Sequence, residues 1–244
     1  MSIKNSIVFL WVGNNIKIPK VLVSSIRLVM GDEANVVQLT NYNTEEVEGV
    51  NSVKRYNLSN QIMLARLEAY SQYIPETENT FFCDADSIFI NKFKFPENID
   101  KNIFLSPREQ DFLMNPDYPE HYEEFVGKRA KEVMPYLFGA IAVKKNQQTF
   151  FEEILKICLK LPERFHRWYG DQYALNKYIE KGFSEFGKLN LEIYLNILRG
   201  PLMPSYLEQA FRSNVQLITF KGPQSKIFID QSLTLLNYFY KKRD

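Results

Sequence analysis

Short apolar runs alternate with amphipathic segments along most of the chain, and this alternation constrains the fold more than any other feature. Ile7–Val12 is a continuous apolar run ended by "GNN", which indicates a strand that is buried on both faces and opens into a loop. In the next segment Leu22, Ile26 and Val29 recur at helical spacing, and a glycine follows as a stop signal. Such alternation predicts an α/β fold with a mostly parallel sheet covered by helices on both sides.

The same pattern continues to the end of the chain. We expect strands at "NVVQLT", "NIFLSP", "YLFGAIAV" and "NVQLITF", and helices at "QQTFFEEILKICLKL" and "GDQYALNKYIEKG". Thr44 with "EEVE" predicts a short capped helix. The polar, proline-rich segment Arg108–Pro135 predicts a mobile flap with a helix around "EHYEEFVGKRAKEV". All of these elements fit one domain over the 244 residues.

Composition and charge exclude several classes of protein. The formal net charge is +1 and both signs are interspersed, whereas a nucleic-acid surface needs a basic stripe. Cys83 and Cys158 lie inside apolar runs, as buried thiols do, so we expect a reducing, cytoplasmic setting. We expect neither a secretion signal nor a membrane-spanning segment. The basic and aromatic tail "YFYKKRD" favours at most weak, reversible contact with the inner face of a membrane.

Two carboxylates interrupt the apolar stretch "TFFCDADSIFI". If this stretch is one strand, Asp84 and Asp86 point the same way because residues two apart share a face. Two unpaired carboxylates in that arrangement repel each other, and a hard divalent ion such as Mg²⁺ or Mn²⁺ removes the repulsion. The simpler interpretation is a strand that ends in a turn or a helix cap.

Two classes of enzyme place such a D-x-D motif at a strand end. Phosphotransferases of the haloacid-dehalogenase type do so, but they need later acidic residues, and "GDQYAL" has Leu175 where the last Asp should be. Nucleotide-sugar glycosyltransferases are the other class. In an open α/β sheet, ligands bind beyond the carboxyl ends of the strands. Val12 ends the first predicted strand and Gly13 follows it, so we assign them to donor binding.

The stretch "ARLEAYSQYIPETENTFFCDADSIFI" resembles the retaining glycosyltransferases of the glycogenin and bacterial lipo-oligosaccharide galactosyltransferase family, known as family 8. Arg66 matches a helical Arg of that family, and Asp84 and Asp86 match its metal motif. "GDQYALN" is similar to the family's "DQxxLN", which places Asp171 and Gln172 at the transferred sugar. "FKGPQSK" is similar to its C-terminal diphosphate-binding motif.

The sequence also departs from that family. The family's metal-binding His falls at Thr219, and the Asn of its "FNxG" strand falls at Phe138. A second resemblance, to the blood-group-type retaining galactosyl- and N-acetylgalactosaminyltransferases, lies in "RLE", "YLFGA" and "LNKY". The catalytic Glu of these enzymes would fall at Gln172. Both families share the GT-A fold and retain anomeric configuration.

The resemblance implies a metal-dependent, retaining glycosyltransferase with a GT-A fold that moves a hexose from a nucleotide sugar, UDP-linked, to a glycan or glycolipid. It divides the domain into a nucleotide-binding half at about residues 1–100, a sugar and acceptor half at about 101–226, and a C-terminal helix or tail at 227–244. A sugar-nucleotide-binding protein without catalysis is the alternative. The implied residues are Asp171 and Gln172 for catalysis; Val12, Gly13, Arg66, Asp84, Gly222 and Lys226 for the donor; and Asp84 and Asp86 for Mn²⁺ or Mg²⁺.

Overall fold

The structure is a computed structural model. It describes residues 5–97, 100–109, 111–114, 123–145, 147–190, 196–198, 204–213, 215–222 and 226–243. A central sheet of seven strands has the order β3-β2-β1-β4-β7-β6-β8, and a second sheet has the order β5-β10-β9. The strands are β1 (Asn5–Leu10), β2 (Ala34–Thr40), β3 (Ser52–Arg55), β4 (Asn79–Cys83), β5 (Ser87–Phe89), β6 (Ile103–Pro107), β7 (Tyr136–Lys144), β8 (Gly187–Lys188), β9 (Asn196–Leu198) and β10 (Leu217–Phe220).

Helices cover both faces of the central sheet. They are α1 (Lys17–Met30), α2 (Ile62–Gln72), α3 (Ala130–Val133), α4 (Gln148–Cys158), α5 (Gly170–Glu180), α6 (Pro204–Arg212) and α7 (Ile229–Arg243). The central sheet is mostly parallel, with β7 antiparallel to both β4 and β6. This confirms the predicted α/β class.

Alternate residues of the parallel strands enter two separate cores. On one face, Val8 packs with Leu67 of α2 and with Ile154 of α4. On the other face, Ile7 packs with Leu22 and Ile26 of α1. Two cores form because β1, at the centre of the sheet, is apolar on both faces, as its continuous run of apolar residues predicts. Gly31 ends α1 with φ 56°, a conformation in which a glycine is favoured.

Three local predictions were wrong. Thr44 and the residues after it form turns and irregular backbone, because Asn41 Oδ1 accepts hydrogen bonds from the Thr44 backbone and side chain. The described part of "EHYEEFVGKRAKEV" contains a 3₁₀ turn at Glu123–Phe125 and the short helix α3. Arg129, which lies between these two elements, pairs with Leu113 in an isolated β-bridge. "TFFCDADSIFI" is two strands in two sheets, with the carboxylates between them.

The described residues of the predicted flap pack into a small apolar cluster. Met114, Phe125, Ala130 and Met134 are buried there against Phe165, which lies just before α5. Residues 110 and 115–122 of that segment lie outside the described residues, as does part of "KGPQSK" at 223–225. Within the described ranges, every helix is too short or too polar to cross a membrane.

Candidate active site

The two carboxylates of the D-x-D motif lie where the chain leaves one sheet and enters the other. The β4–β7 ladder continues past Cys83, so that the Asp84 backbone N–H donates to the Gly139 carbonyl at 3.0 Å. The β5–β10 ladder also continues, and the Phe220 backbone N–H donates to the Asp86 carbonyl at 2.8 Å. Asp84 is therefore anchored to the central sheet and Asp86 to the second sheet.

Gly139 leaves room for the Asp84 side chain. A Cβ atom built at residue 139 would lie 2.6 Å from Asp84 Cγ, which is closer than real Cβ contacts come. The pairing of β4 with β7 places the two residues directly opposite each other, so the carboxylate occupies the space above the glycine. The glycine of "YLFGA" therefore has a steric role in this site.

Arg66 joins Asp84 to Asp171. It lies on α2, and its Nη1 donates to Asp84 Oδ1 at 2.6 Å while its Nη2 donates to Asp171 Oδ2. Only 12% of the Arg66 side chain is exposed. Its guanidinium lies over the Phe138 ring, 5.3 Å from the ring centre, so Phe138 contributes a cation–π contact. Phe138, one of the positions at which the sequence departs from the family 8 pattern, therefore supports the arginine.

Asp171 and Gln172 lie in the first turn of α5, at the same edge of the sheet. The Asp171 side chain is fully buried, and its Oδ1 accepts a hydrogen bond of 2.7 Å from the Gln172 backbone N–H. The Gln172 side chain is partly exposed, and its Oε1 accepts a hydrogen bond from Arg108. Arg108 is buried and also donates to the Met134 carbonyl at 2.7 Å. Arg108 thus fixes the orientation of the Gln172 amide.

Two lysines hold the D-x-D carboxylates. Lys221 directly follows β10, and the hydrogen bond from the Phe220 backbone N–H to the Asp86 carbonyl brings it next to the D-x-D motif. Its Nζ contacts Asp84 Oδ2 and lies 3.7 Å from Asp86 Oδ1. Lys226 Nζ lies 2.7 Å from Asp86 Oδ2. Each aspartate therefore has a lysine partner.

Burial and charge shift the pKa values of these groups in opposite directions. Complete burial raises the pKa of Asp171, against the opposing contact with Arg66. Burial acts the same way on Asp84, but Lys221 and Arg66 outweigh it and hold the pKa of Asp84 below its ordinary value. Burial alone would lower the pKa of Lys221, yet Asp84 and Asp86 together raise it. Asp84 and Lys221 are therefore both charged at neutral pH.

Most of the predicted site residues meet in one cluster. An unbroken series of ion pairs links five of them through Lys221, in the order Asp171, Arg66, Asp84, Lys221, Asp86 and Lys226. The backbone of Gln172 joins this cluster through Asp171, as described above.

The predicted glycine and valine positions lie around this cluster. Gly222 follows Lys221 with φ 83°, and its carbonyl accepts the Lys226 backbone N–H at 3.4 Å. Val12 and Gly13 lie at the carboxyl edge of β1, the neighbour of β4, where the Gly13 backbone N–H donates to Thr44 Oγ1 at 3.0 Å. No contact described in the structure joins these two residues to the cluster.

Sequence reasoning missed three residues of the site: Lys221, Arg108 and Gly139. Lys221 lies inside the motif "FKGPQSK", but at a position to which the resemblance assigns no role. Arg108 is the first residue after β6 and so lies at a strand end, where open α/β sheets bind ligands. Gly139 could have been found from "YLFGA", a glycine inside an otherwise apolar strand, which often marks a close approach.

The fold resembles that of a solved glycosyltransferase. The chain matches the crystal structure of the glycosyltransferase GlyE of Streptococcus pneumoniae TIGR4 with a TM-score of 0.57 and 11% sequence identity. The match covers 99% of this chain and 64% of the GlyE chain, so the chain spans less than two thirds of the length of that protein. No family model and no curated protein matches the sequence. The likeness shows a shared mixed α/β fold.

Proposed function

We propose that the chain is a glycosyltransferase that moves a hexose from a nucleotide sugar, UDP-linked, to a glycan or glycolipid acceptor with retention of anomeric configuration. One observation carries the proposal. Residues from four separate segments of the sequence meet at one edge of a fold that resembles a glycosyltransferase: Arg66, Asp84 with Asp86, Asp171, and Lys226. This is the edge at which open α/β sheets bind ligands.

The proposed roles follow from burial and chemistry. Lys226 pairs with the phosphates of the donor, since an ammonium group is a strong donor to phosphate oxygens. Gln172 is partly exposed and faces the transferred sugar, whereas the buried Asp171 holds Arg66 in place. A neutral amide is too poor a nucleophile for an ordinary covalent intermediate. Gln172 therefore favours front-side displacement, with the acceptor attacking on the face that the nucleotide leaves.

The acceptor side of the proposal rests on two exposed aromatic regions. Trp168 is 43% exposed and lies three residues before Asp171, where an aromatic ring can stack on a sugar. The α7 helix carries exposed Tyr238, with Lys242 Nζ 4.5 Å from its ring centre. This end of α7 supports weak contact with an anionic membrane surface, where a glycolipid acceptor would reside.

The residues predicted to hold a metal do not fit a preformed divalent site. Asp84 and Asp86 are the carboxylates concerned, and both contact lysines. Thr219 offers only a buried hydroxyl where the related family has a His. Asp86 Oδ1 is buried without a hydrogen bond, which suits an ion, but Lys221 Nζ at 3.7 Å already gives it an opposite charge. We therefore assign no step to a metal ion.

Within the described residues, no group of three or more His, Cys, Asp or Glu side chains could hold a metal ion. A divalent ion bound by Asp84 and Asp86 would have to complete its coordination with donor phosphates and water. When bound, such an ion would supply charge neutralisation to a departing diphosphate.

Turnover of a panel of nucleotide sugars tests the proposal. The protein is incubated with UDP-, GDP- and ADP-linked hexoses and candidate acceptors, and release of the nucleoside diphosphate is followed, with NMR for the anomer formed. We expect release from a UDP-sugar that falls about tenfold or more in Gln172→Ala, because a hydrogen bond to a charged transition state is lost. Gln72→Ala, on the exposed end of α2, is the matched control and should behave as wild type.

Two results would contradict the proposal. Phosphate release from a phosphoester in the absence of any nucleotide sugar would indicate a phosphotransferase. If a nucleotide sugar binds tightly but no acceptor of the panel supports turnover, the chain is a sugar-nucleotide-binding protein without catalysis.

A further inference from the structure

The proposed donor site carries its own cations in contact with its carboxylates. The side chains of Lys221 and Lys226 are 32% and 39% exposed, whereas those of Asp84 and Asp86 are 16% and 14% exposed. We call these two lysines the lysine pair. The lysine pair is therefore the more accessible part of the cluster. Its positive charges favour an anionic ligand over a metal cation.

Charge is already balanced within the cluster. Among the residues that the structure describes, three carboxylates are joined by ion pairs to three cations: Asp84, Asp86 and Asp171 to Arg66, Lys221 and Lys226. A divalent ion normally removes the repulsion between paired carboxylates. Here that repulsion is already removed by groups of the protein, so an added divalent ion would have to displace the lysine pair.

The backbone holds Lys221 in this position. It follows β10 directly, and the hydrogen bond from the Phe220 backbone N–H to the Asp86 carbonyl fixes the register of the two segments. Strand pairing therefore brings Lys221 next to the D-x-D motif, and the ion pairs with Asp84 and Asp86 orient its ammonium group. Lys221 therefore keeps a cation at the D-x-D carboxylates, where the resemblance to family 8 implies a metal.

We propose that the lysine pair neutralises the diphosphate of the donor in place of a divalent metal, so that donor binding needs no metal ion. This inference rests on the proposed function. The lysine pair contacts the phosphate oxygens, and Asp84 and Asp86 position its ammonium groups. Positive charge for the departing nucleoside diphosphate then comes from the protein alone.

Titration calorimetry with UDP as the probe tests this inference, on the full chain, in EDTA and in MnCl₂. We expect UDP to bind in EDTA. Adding MnCl₂ should change this affinity by less than about threefold, because the lysine pair already supplies the positive charge. Lys221→Met and Lys226→Met should each weaken binding about 10- to 100-fold, by the same factor with and without MnCl₂. Lys221→Arg keeps the charge and should retain binding in EDTA.

The matched control is Lys54→Met. Lys54 lies on the edge strand β3, its side chain is 34% exposed, and it pairs with Glu76 at 2.6 Å, so it resembles Lys221 in exposure and pairing. It should leave UDP binding unchanged. Circular dichroism melting verifies that each variant folds. If Lys221→Met does not fold, the more exposed Lys226→Met carries the test.

The outcomes separate this inference from the function on which it rests. UDP binding that requires MnCl₂ and disappears in EDTA overturns the inference and leaves the proposed function intact. UDP binding in EDTA that neither lysine variant weakens also overturns it. If no nucleoside diphosphate or nucleotide sugar binds under either condition, the proposed function fails and the inference fails with it.

Discussion

Replacing Arg66 with methionine should destabilise the fold, because the change leaves a buried carboxylate without its partner. The Asp171 side chain is fully buried, and among the described ion pairs Arg66 is its cation. Removing one member of a buried ion pair costs about 3–5 kcal/mol, since an uncompensated charge remains. Asp84 also loses a contact but keeps Lys221. We expect the free energy of unfolding of Arg66→Met to fall by about 3–5 kcal/mol at pH 7.

The loss in Arg66→Met should shrink as the solution becomes more acidic. Burial raises the pKa of Asp171, and the variant removes the positive charge that opposes this rise. A carboxyl group with a folded pKa above its unfolded value of about 3.9 destabilises the folded state at higher pH, and the penalty vanishes below that value. The difference in stability between the variant and the wild type should therefore decrease from pH 7 towards pH 4.

Urea unfolding followed by circular dichroism at several pH values measures these effects. Arg212→Met is the control, because Arg212 pairs with Glu208 one helical turn away on an exposed surface and should contribute at most about 0.5 kcal/mol. The double variant Arg66→Met/Asp171→Asn should recover part of the lost stability, since the buried group is then neutral. The reasoning is refuted if Arg66→Met loses no more than Arg212→Met, or if the double variant is no more stable than Arg66→Met.

Three further predictions concern the neighbours of this pair. Gly139→Ala should lower nucleotide-sugar turnover and thermal stability, because its Cβ would displace the Asp84 carboxylate; an unchanged Tm would contradict this. The pKa of Asp84 lies below its ordinary value because of its cationic neighbours, so stability should fall as pH drops below about 4; urea unfolding of Asp84→Asn should show a shallower dependence there. Arg108→Met should lower kcat more than it raises KM, because it frees the Gln172 amide without touching the donor; an effect on KM alone would rule out this positioning role.

Local sequence patterns predicted the main helices and strands, because the burial pattern of such an element is set by residues that are close together in sequence. The apolar run of β1 and the spacing of Leu22 and Ile26 in α1 reflect burial on a sheet, and both elements form where expected. The errors arose where side chains compete with regular structure. Asn41 hydrogen-bonds the backbone of Thr44 and turns the chain, which a helical pattern of acidic residues does not reveal.

The candidate site was only partly predictable. The D-x-D motif, Arg66 and "GDQYALN" mark it through resemblance and through the rule for strand ends. The break between β4 and β5 was not predicted, because each half of "TFFCDADSIFI" is apolar and the partner strands decide which sheet each half joins. β7 takes one half and β10 takes the other.

The sequence by itself determined an α/β fold whose strand ends carry the carboxylates, because burial periodicity is a local property of the chain. Only the tertiary structure decided what stands opposite those carboxylates. Lys221 lies 137 residues from Asp84 in sequence, and the pairing of β5 with β10 brings the two segments together so that the ion pair can form. Gly139 faces the same carboxylate through the pairing of β4 with β7. Pairing between distant strands places these groups, and no local pattern encodes it.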